Sequence, residues 1–86
     1  MKPTSIAEAF ELTKKFTRRP GNEDLLKLYG LYKQATAGDN TEERPGGFDF
    51  KAAAKHNSWL KFKGKSKEEA EAMYISLVEQ LAKTHI

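Results

Sequence analysis

From Ser66 to Leu81 the chain reads SKEEAEAMYISLVEQL, which places Ala70, Met73, Tyr74, Leu77, Val78 and Leu81 at intervals of three and four residues. Only an α-helix turns such a spacing into one apolar face. The same period recurs upstream, and no run of β-branched residues alternates with period two. The chain is therefore expected to be all-α. Ser66 with Glu69 has capping-box spacing, in which a hydroxyl and a carboxylate satisfy free amides at a helix start.

Three further helices are predicted. The first carries Ile6, Ala9, Phe10, Thr13 and Phe16 on one face behind Ser5 and Glu8, a second capping-box pair, and RRPGN stops it because proline and glycine do not continue a helix. The second takes Asn22 as its cap, has Glu23 and Asp24 in its first turn, carries Leu25, Leu28, Tyr29, Tyr32 and Ala35 or Thr36, and ends at Gly38. Asp49 can cap a third, FKAAAKHNSWLKFK, which Gly64 ends.

Connection lengths then limit the topology. Short turns between helices one and two, and three and four, favour antiparallel neighbours. The second helix is about 21 Å long at ~1.5 Å per residue, and the polar stretch GDNTEERPGGF can reach over ~30 Å when extended. A return along the bundle is thus available, giving a parallel second and third helix in an up-down-down-up order. With 86 residues there is room for one domain, expected to span 1–86.

Composition excludes more than it selects. The absence of cysteine removes disulfides and thiolate metal sites and fits a reducing compartment. MKPTSIAEAF has no signal-peptide core and no apolar run approaches membrane-spanning length, so the expected location is cytoplasmic, without integral membrane association. The net charge is +3, from 15 basic and 12 acidic residues. That and a pI near 9.2 suit an anionic partner, but the acids are interspersed and no basic stripe marks a nucleic-acid binder. His56 and His85 have no partner at metal-ligand spacing, no metal site is expected, and a surface position is the expectation for both. Glu42, Glu43, Glu68 and Glu69 read as a solvated loop and a helix start. The chain is expected to be non-catalytic.

LYGLYKQAT, residues 28–36, carries the functional signal. Tyr29 and Lys33 are i, i+4 neighbours, Tyr29 and Tyr32 are i, i+3, and all three can converge on one helix surface. Phenols offer a flat face and a hydroxyl donor, and an ammonium suits phosphate. Spacing alone equally fits half-buried core tyrosines beside a solvated lysine. Lys51 and Lys55 make a basic edge one turn long on the third helix, also compatible with simple solvation, and Tyr74 sits within an apolar stripe.

Taken together, LYGLYKQATAGD, the RPG of Arg44–Gly46, DFKAAAKHNSW and SKEEAEAMYISLVEQL resemble the acyl-CoA-binding protein family over nearly the whole chain. The resemblance implies a four-helix up-down-down-up bundle that binds, buffers and transports medium- and long-chain fatty acyl-CoA esters. Acyl-CoA would be a ligand, with no cofactor; the expectation of a monomer rests instead on a single domain with no membrane segment. It implies ligand contacts from Tyr29, Tyr32, Lys33, Lys55 and Tyr74, with Lys14 and Lys51 in support and Gly30 and Leu31 within the same segment. Tyr32 would stack on adenine, Tyr29, Lys33 and Lys55 would meet phosphate, and Tyr74 would reach the ribose–phosphate region. Leu25, Leu26 and Ala54 would wall the acyl groove. One departure stands out: many members have tryptophan directly after the lysine matching Lys55, where this chain has His56. A helical interaction module that keeps the fold without the ligand is the alternative.

Overall fold

The computed structural model describes residues 3–86. Among these are four helices and no strand: α1 (Ile6–Thr13), α2 (Asn22–Ala37), α3 (Phe50–Leu60) and α4 (Lys67–His85).

Hydrogen bonds between the helix ends give the order. Ile6 N–H donates to Glu71 Oε2 at 2.9 Å, tying the starts of α1 and α4. Beyond the end of α1, Thr17 N–H donates to His85 O at 2.6 Å, so these two helices run parallel. Gln34, near the end of α2, donates through Nε2 to Lys65 O at 2.9 Å just before α4 starts, so α2 opposes α4. Gly64, after α3, donates to Asp39 Oδ1 at 2.9 Å, after α2. Asn22 and Lys51, near the starts of α2 and α3, line one cleft. α2 and α3 therefore run parallel, and the expected up-down-down-up order is the one found.

The core lies where α2 and α4 meet, with α1 closing one side. Ala9, Leu12, Leu28, Leu31, Ala70, Tyr74, Val78 and Leu81 form its buried centre. Removal of apolar surface from water supplies the driving force, about 1.5–3 kcal/mol for each large side chain fully buried. α3 joins through a close approach. A Cβ on Gly30 would lie 2.6 Å from Ser58 O and 2.9 Å from Phe62 Cε2, so only glycine lets the two helices sit at this distance. Trp59 Nε1 then donates to Gly38 O at 2.8 Å, fixing α3 against the end of α2.

Five local expectations change. Gly21, not Asn22, is the N-cap of α2, and no side chain caps it. At α1, Ser5 Oγ accepts from Glu8 N–H, but the Glu8 carboxylate reaches past Ser5 to Thr4 N–H at 2.7 Å, so the capping box is only half formed; at α4 both halves are present. α1 stops at Thr13 in a tight turn of i→i−3 bonds, and Phe16 packs against the core from beyond the helix. α3 likewise ends at Leu60, and the turn that follows carries Phe62 back against the core, beside Gly30. Met73, placed on the apolar stripe by its spacing, lies outside the buried face.

Candidate functional site

α2 presents two unlike surfaces. Leu28, Leu31 and Gln34 point into the bundle and are buried. Leu25, Tyr29 and Tyr32 lie at the same three- and four-residue intervals along an adjoining face, and all three are half-buried.

Two clefts share this face. The first, about 470 Å³, lies between the end of α1, α2 and Tyr74 of α4, and is lined by Phe10, Thr13, Phe16, Arg18, Arg19, Leu25, Tyr29 and Tyr32 among others. The second, about 410 Å³, lies between α2 and α3, lined by Arg19, Asn22, Leu25, Leu26, Tyr29, Lys51, Ala54 and Lys55. Arg19, Leu25 and Tyr29 belong to both, so the two form one elongated depression. Its lining includes four cations, Arg18, Arg19, Lys51 and Lys55, and no Asp or Glu. In a chain with 12 acidic residues this is a marked segregation of charge. The apolar floor and cationic border suit an amphipathic anion.

The floor of the first cleft is an aromatic stack. Phe10 and Tyr32 rings lie 5.3 Å apart at 40°, and Tyr32 meets Tyr74 edge-on at 5.7 Å. Burial, with a smaller contribution from the Tyr32 phenol, pushes the Tyr74 pKa up to about 12. Tyr74 therefore stays a neutral O–H donor at any physiological pH. At the junction of the clefts, Lys55 Nζ stands 5.4 Å from the centre of the Tyr29 ring, a cation–π arrangement.

The structure thus brings together Tyr29, Tyr32, Tyr74, Lys51, Lys55, Leu25, Leu26 and Ala54, eight of the positions named from the sequence. Lys14 sits at the margin, ion-paired to Glu11 at 2.7 Å and 5.1 Å from the Phe10 ring centre. Lys33 is displaced towards α3, its Nζ 4.9 Å above the Trp59 ring, and lines neither cleft. Gly30 and Leu31, expected within the ligand segment, line neither cleft: Gly30 is pressed against α3 and Leu31 is 2% exposed in the core.

His56 is a correction. It is buried rather than on the surface, with Nδ1 3.2 Å from Asn40 Nδ2. An amide NH₂ can only donate, so Nδ1 is the acceptor and the ring proton sits on Nε2. Asn40 Oδ1 in turn accepts Glu42 N–H, which fixes the start of the α2–α3 loop. This histidine clamps a loop, and among the described residues no cluster of metal-ligating side chains exists.

Sequence reasoning missed Arg18 and Arg19, read there only as part of a helix stop, and Phe10 and Asn22 as cleft-lining residues. The available signal was the pair of cations immediately before the proline that opens α2.

Comparison with known proteins gives the family. Residues 5–78 match the family model described as acyl CoA binding protein. An acyl-CoA-binding protein of Dictyostelium discoideum is 49% identical over 79 residues, covering 92% of this chain and 94% of its own. One from Brassica napus is 54% identical over 74 residues, covering 86% and 80% respectively. The crystal structure of Oryza sativa acyl-CoA-binding protein 2 superposes with a TM-score of 0.86 at 49% identity, covering 91% of this chain and 87% of the rice chain. The chain belongs to the acyl-CoA-binding protein family.

Proposed function

We propose that this protein binds the coenzyme A thioesters of medium- and long-chain fatty acids and buffers and carries them without making or breaking a bond. The observation that carries the reading is the elongated depression with an apolar floor, four bordering cations and no carboxylate. An acyl-CoA has matching chemistry: a multiply phosphorylated nucleotide head joined to a long apolar tail.

Each end has a physical rationale. Charge-assisted hydrogen bonds to phosphate are the stronger kind, about 1.5–3 kcal/mol each, and Lys55, Lys51, Lys33 and Arg19 are the cations proposed to make them, with Lys14 in support. Tyr32 offers its ring to the adenine, and the Tyr29 and Tyr74 hydroxyls donate to the head. Leu25, Leu26 and Ala54 take the tail, whose burial contributes about 0.8 kcal/mol for each methylene removed from water. Neither end alone can match the whole, so the thioester is held in preference to its fragments. The lining contains no Cys, His, Asp or Glu to act as nucleophile or base, which supports carriage rather than turnover. On this reading the protein acts as a cytoplasmic monomer.

The test is calorimetric titration with palmitoyl-CoA, free CoA and palmitate, each below its micelle concentration. Tight binding of the thioester with much weaker binding of both fragments is expected. Binding of none of the three would overturn the proposal and point to a helical interaction module instead.

A further inference from the structure

A third cleft, about 310 Å³, adjoins the depression without being part of it. Among the described residues Leu26 is the one that lines both this recess and the α2–α3 cleft. On α2 the two lie on opposite flanks of Leu26, with Asn22, Leu25 and Tyr29 towards the cleft and Glu23 and Lys27 towards the recess. On α3 they follow one another along the helix and the turn after it: Lys51, Ala54 and Lys55 first, then Ser58, Lys61 and Phe62. Glu23, Lys27 and Lys61 are exposed and form the rim of the recess, whereas Leu26, Ser58 and Phe62 are buried or half-buried and form its floor.

We propose that Leu26 is the partition that sets the length of acyl chain this protein accepts. The inference rests on the proposed acyl-CoA reading, in which the tail lies against Leu25, Leu26 and Ala54. α2 and α3 run parallel, and where Gly30 meets Ser58 they are too close to admit even a methyl group, so no hydrocarbon chain passes between them at that level. One turn earlier on each helix stand Leu26 and Ala54. Ala54 ends at its Cβ, so here the Leu26 side chain, and not backbone, closes the seam between cleft and recess. A tail that reaches Leu26 has buried its last methylene, and a longer one leaves the surplus in water. Each methylene removed from water strengthens binding about fourfold, and one left outside adds nothing. Affinity therefore rises with chain length and levels off where the tail meets Leu26. Without this side chain the tail runs on into the recess, over Ser58 and the Phe62 ring and between the aliphatic stems of Lys27 and Lys61.

The experiment is calorimetric titration with straight-chain acyl-CoAs from octanoyl to docosanoyl, each below its micelle concentration, by displacement where binding is tight. In the parent protein affinity should climb about fourfold per methylene and then become flat. In Leu26→Ala the plateau should come at least two methylenes later, which raises the affinity of docosanoyl-CoA relative to the ester at the parent's plateau by about 15-fold. Leu26→Phe fills the seam instead of emptying it, so its plateau should come at a shorter length; it decides the question where Leu26→Ala does not fold. Nuclear Overhauser contacts between the terminal methyl of docosanoyl-CoA and the Phe62 ring should be present in Leu26→Ala and absent in the parent. A plateau at the parent's length in either folded variant would overturn the proposal and leave the acyl-CoA reading intact. So would a parent affinity still climbing at docosanoyl-CoA, or terminal-methyl contacts to Phe62 already present in the parent. A parent that binds no ester of any length would overturn the acyl-CoA reading, and this inference with it.

Discussion

Gly30→Ala separates two physical accounts of α2 by sign. Helix propensity alone favours the substitution, because alanine in a helix interior is about 0.8–1 kcal/mol better than glycine. Packing opposes it. The new methyl would stand 2.6 Å from Ser58 O and 2.9 Å from both Ser58 C and Phe62 Cε2. Two of these three atoms are α3 backbone and cannot rotate aside, so relief requires α3 to move. Overpacking of a tight interior costs about 1–3 kcal/mol, and a backbone obstruction belongs at the upper end. Subtracting the propensity gain leaves a net loss of about 2 kcal/mol. For a domain of this size about 4–8 °C of melting temperature accompanies each kcal/mol, so a fall of roughly 8–16 °C is expected. Thermal unfolding followed by circular dichroism measures it. The same displacement would separate Lys55 from Tyr29, now 5.4 Å apart, and palmitoyl-CoA affinity should fall with stability. A melting temperature equal to or above that of the parent would refute the argument, showing that the α2–α3 approach is loose enough to admit a methyl.

Lys55→Met keeps the aliphatic stem and removes the charge, so calorimetry should show palmitoyl-CoA affinity lower by about 1.5–3 kcal/mol, with the melting temperature only a few degrees lower through loss of the cation–π contact to Tyr29; an unchanged affinity removes Lys55 from the head site. Lys33→Ala is expected to weaken binding by about 1–3 kcal/mol, and no loss would mean that its ammonium stays on Trp59 rather than meeting phosphate. Tyr32→Phe should retain most affinity if the ring stacks, whereas Tyr32→Ala should lose affinity and also two ring pairs, at about 0.5–1.5 kcal/mol each in stability; unchanged affinity in Tyr32→Ala sinks the stacking role. Asp39, held below its usual pKa by Gly64 N–H and then by the Gln34 amide, stabilises the fold above the ordinary carboxylate value. That contribution is lost as pH falls through the lowered one, so acid melts of Asp39→Asn should show a shallower decline below about pH 4. At the alkaline end Tyr74 behaves oppositely: its contribution is complete below about pH 10 and disappears as pH rises through about 12, and Tyr74→Phe should remove that limb of the stability profile.

Much of the fold could be read from the chain because its signals are local. The α4 stripe, the Ser66–Glu69 box and the Asp49 cap act within one or two turns and survive into the structure. What could not be read depends on partners distant in sequence. The packing role of Gly30 was hidden because only Ser58 and Phe62, 28 and 32 residues away, reveal it. His56 looked like a surface residue because Asn40, which holds its Nδ1, lies in a loop without periodicity. Tyr29 and Tyr32 were legible as a pair because helical spacing and the family pattern coincide there, and Tyr74, on another helix, through the family pattern alone, but Arg18 and Arg19 were not. Their place at the depression follows from the turn that leaves α1, in which Thr17 and Arg18 N–H bond to His85 O on a helix 67 and 68 residues distant, and no local rule encodes it.

The same structure indicates how a head site can be basic without destabilising the fold. Three of its candidate lysines rest near aromatic rings: Lys14 at 5.1 Å from Phe10, Lys33 at 4.9 Å from Trp59 and Lys55 at 5.4 Å from Tyr29. Such placements contribute about 0.5–1 kcal/mol each at exposed sites, enough to limit the rotamers an otherwise free ammonium would visit. A hydrogen bond from the same ammonium to phosphate contributes about 1.5–3 kcal/mol. The exchange from ring to phosphate therefore runs downhill, and part of the side-chain ordering has already been met. It follows that removing a ring can weaken binding even where the ring never touches the ligand. Trp59→Leu, which leaves Lys33 without its platform and breaks the 2.8 Å bond to Gly38 O, should lower stability and head-group affinity together. If calorimetry on the folded variant showed palmitoyl-CoA affinity intact despite a lowered melting temperature, the rings would be packing elements only, and the positioning argument would fail.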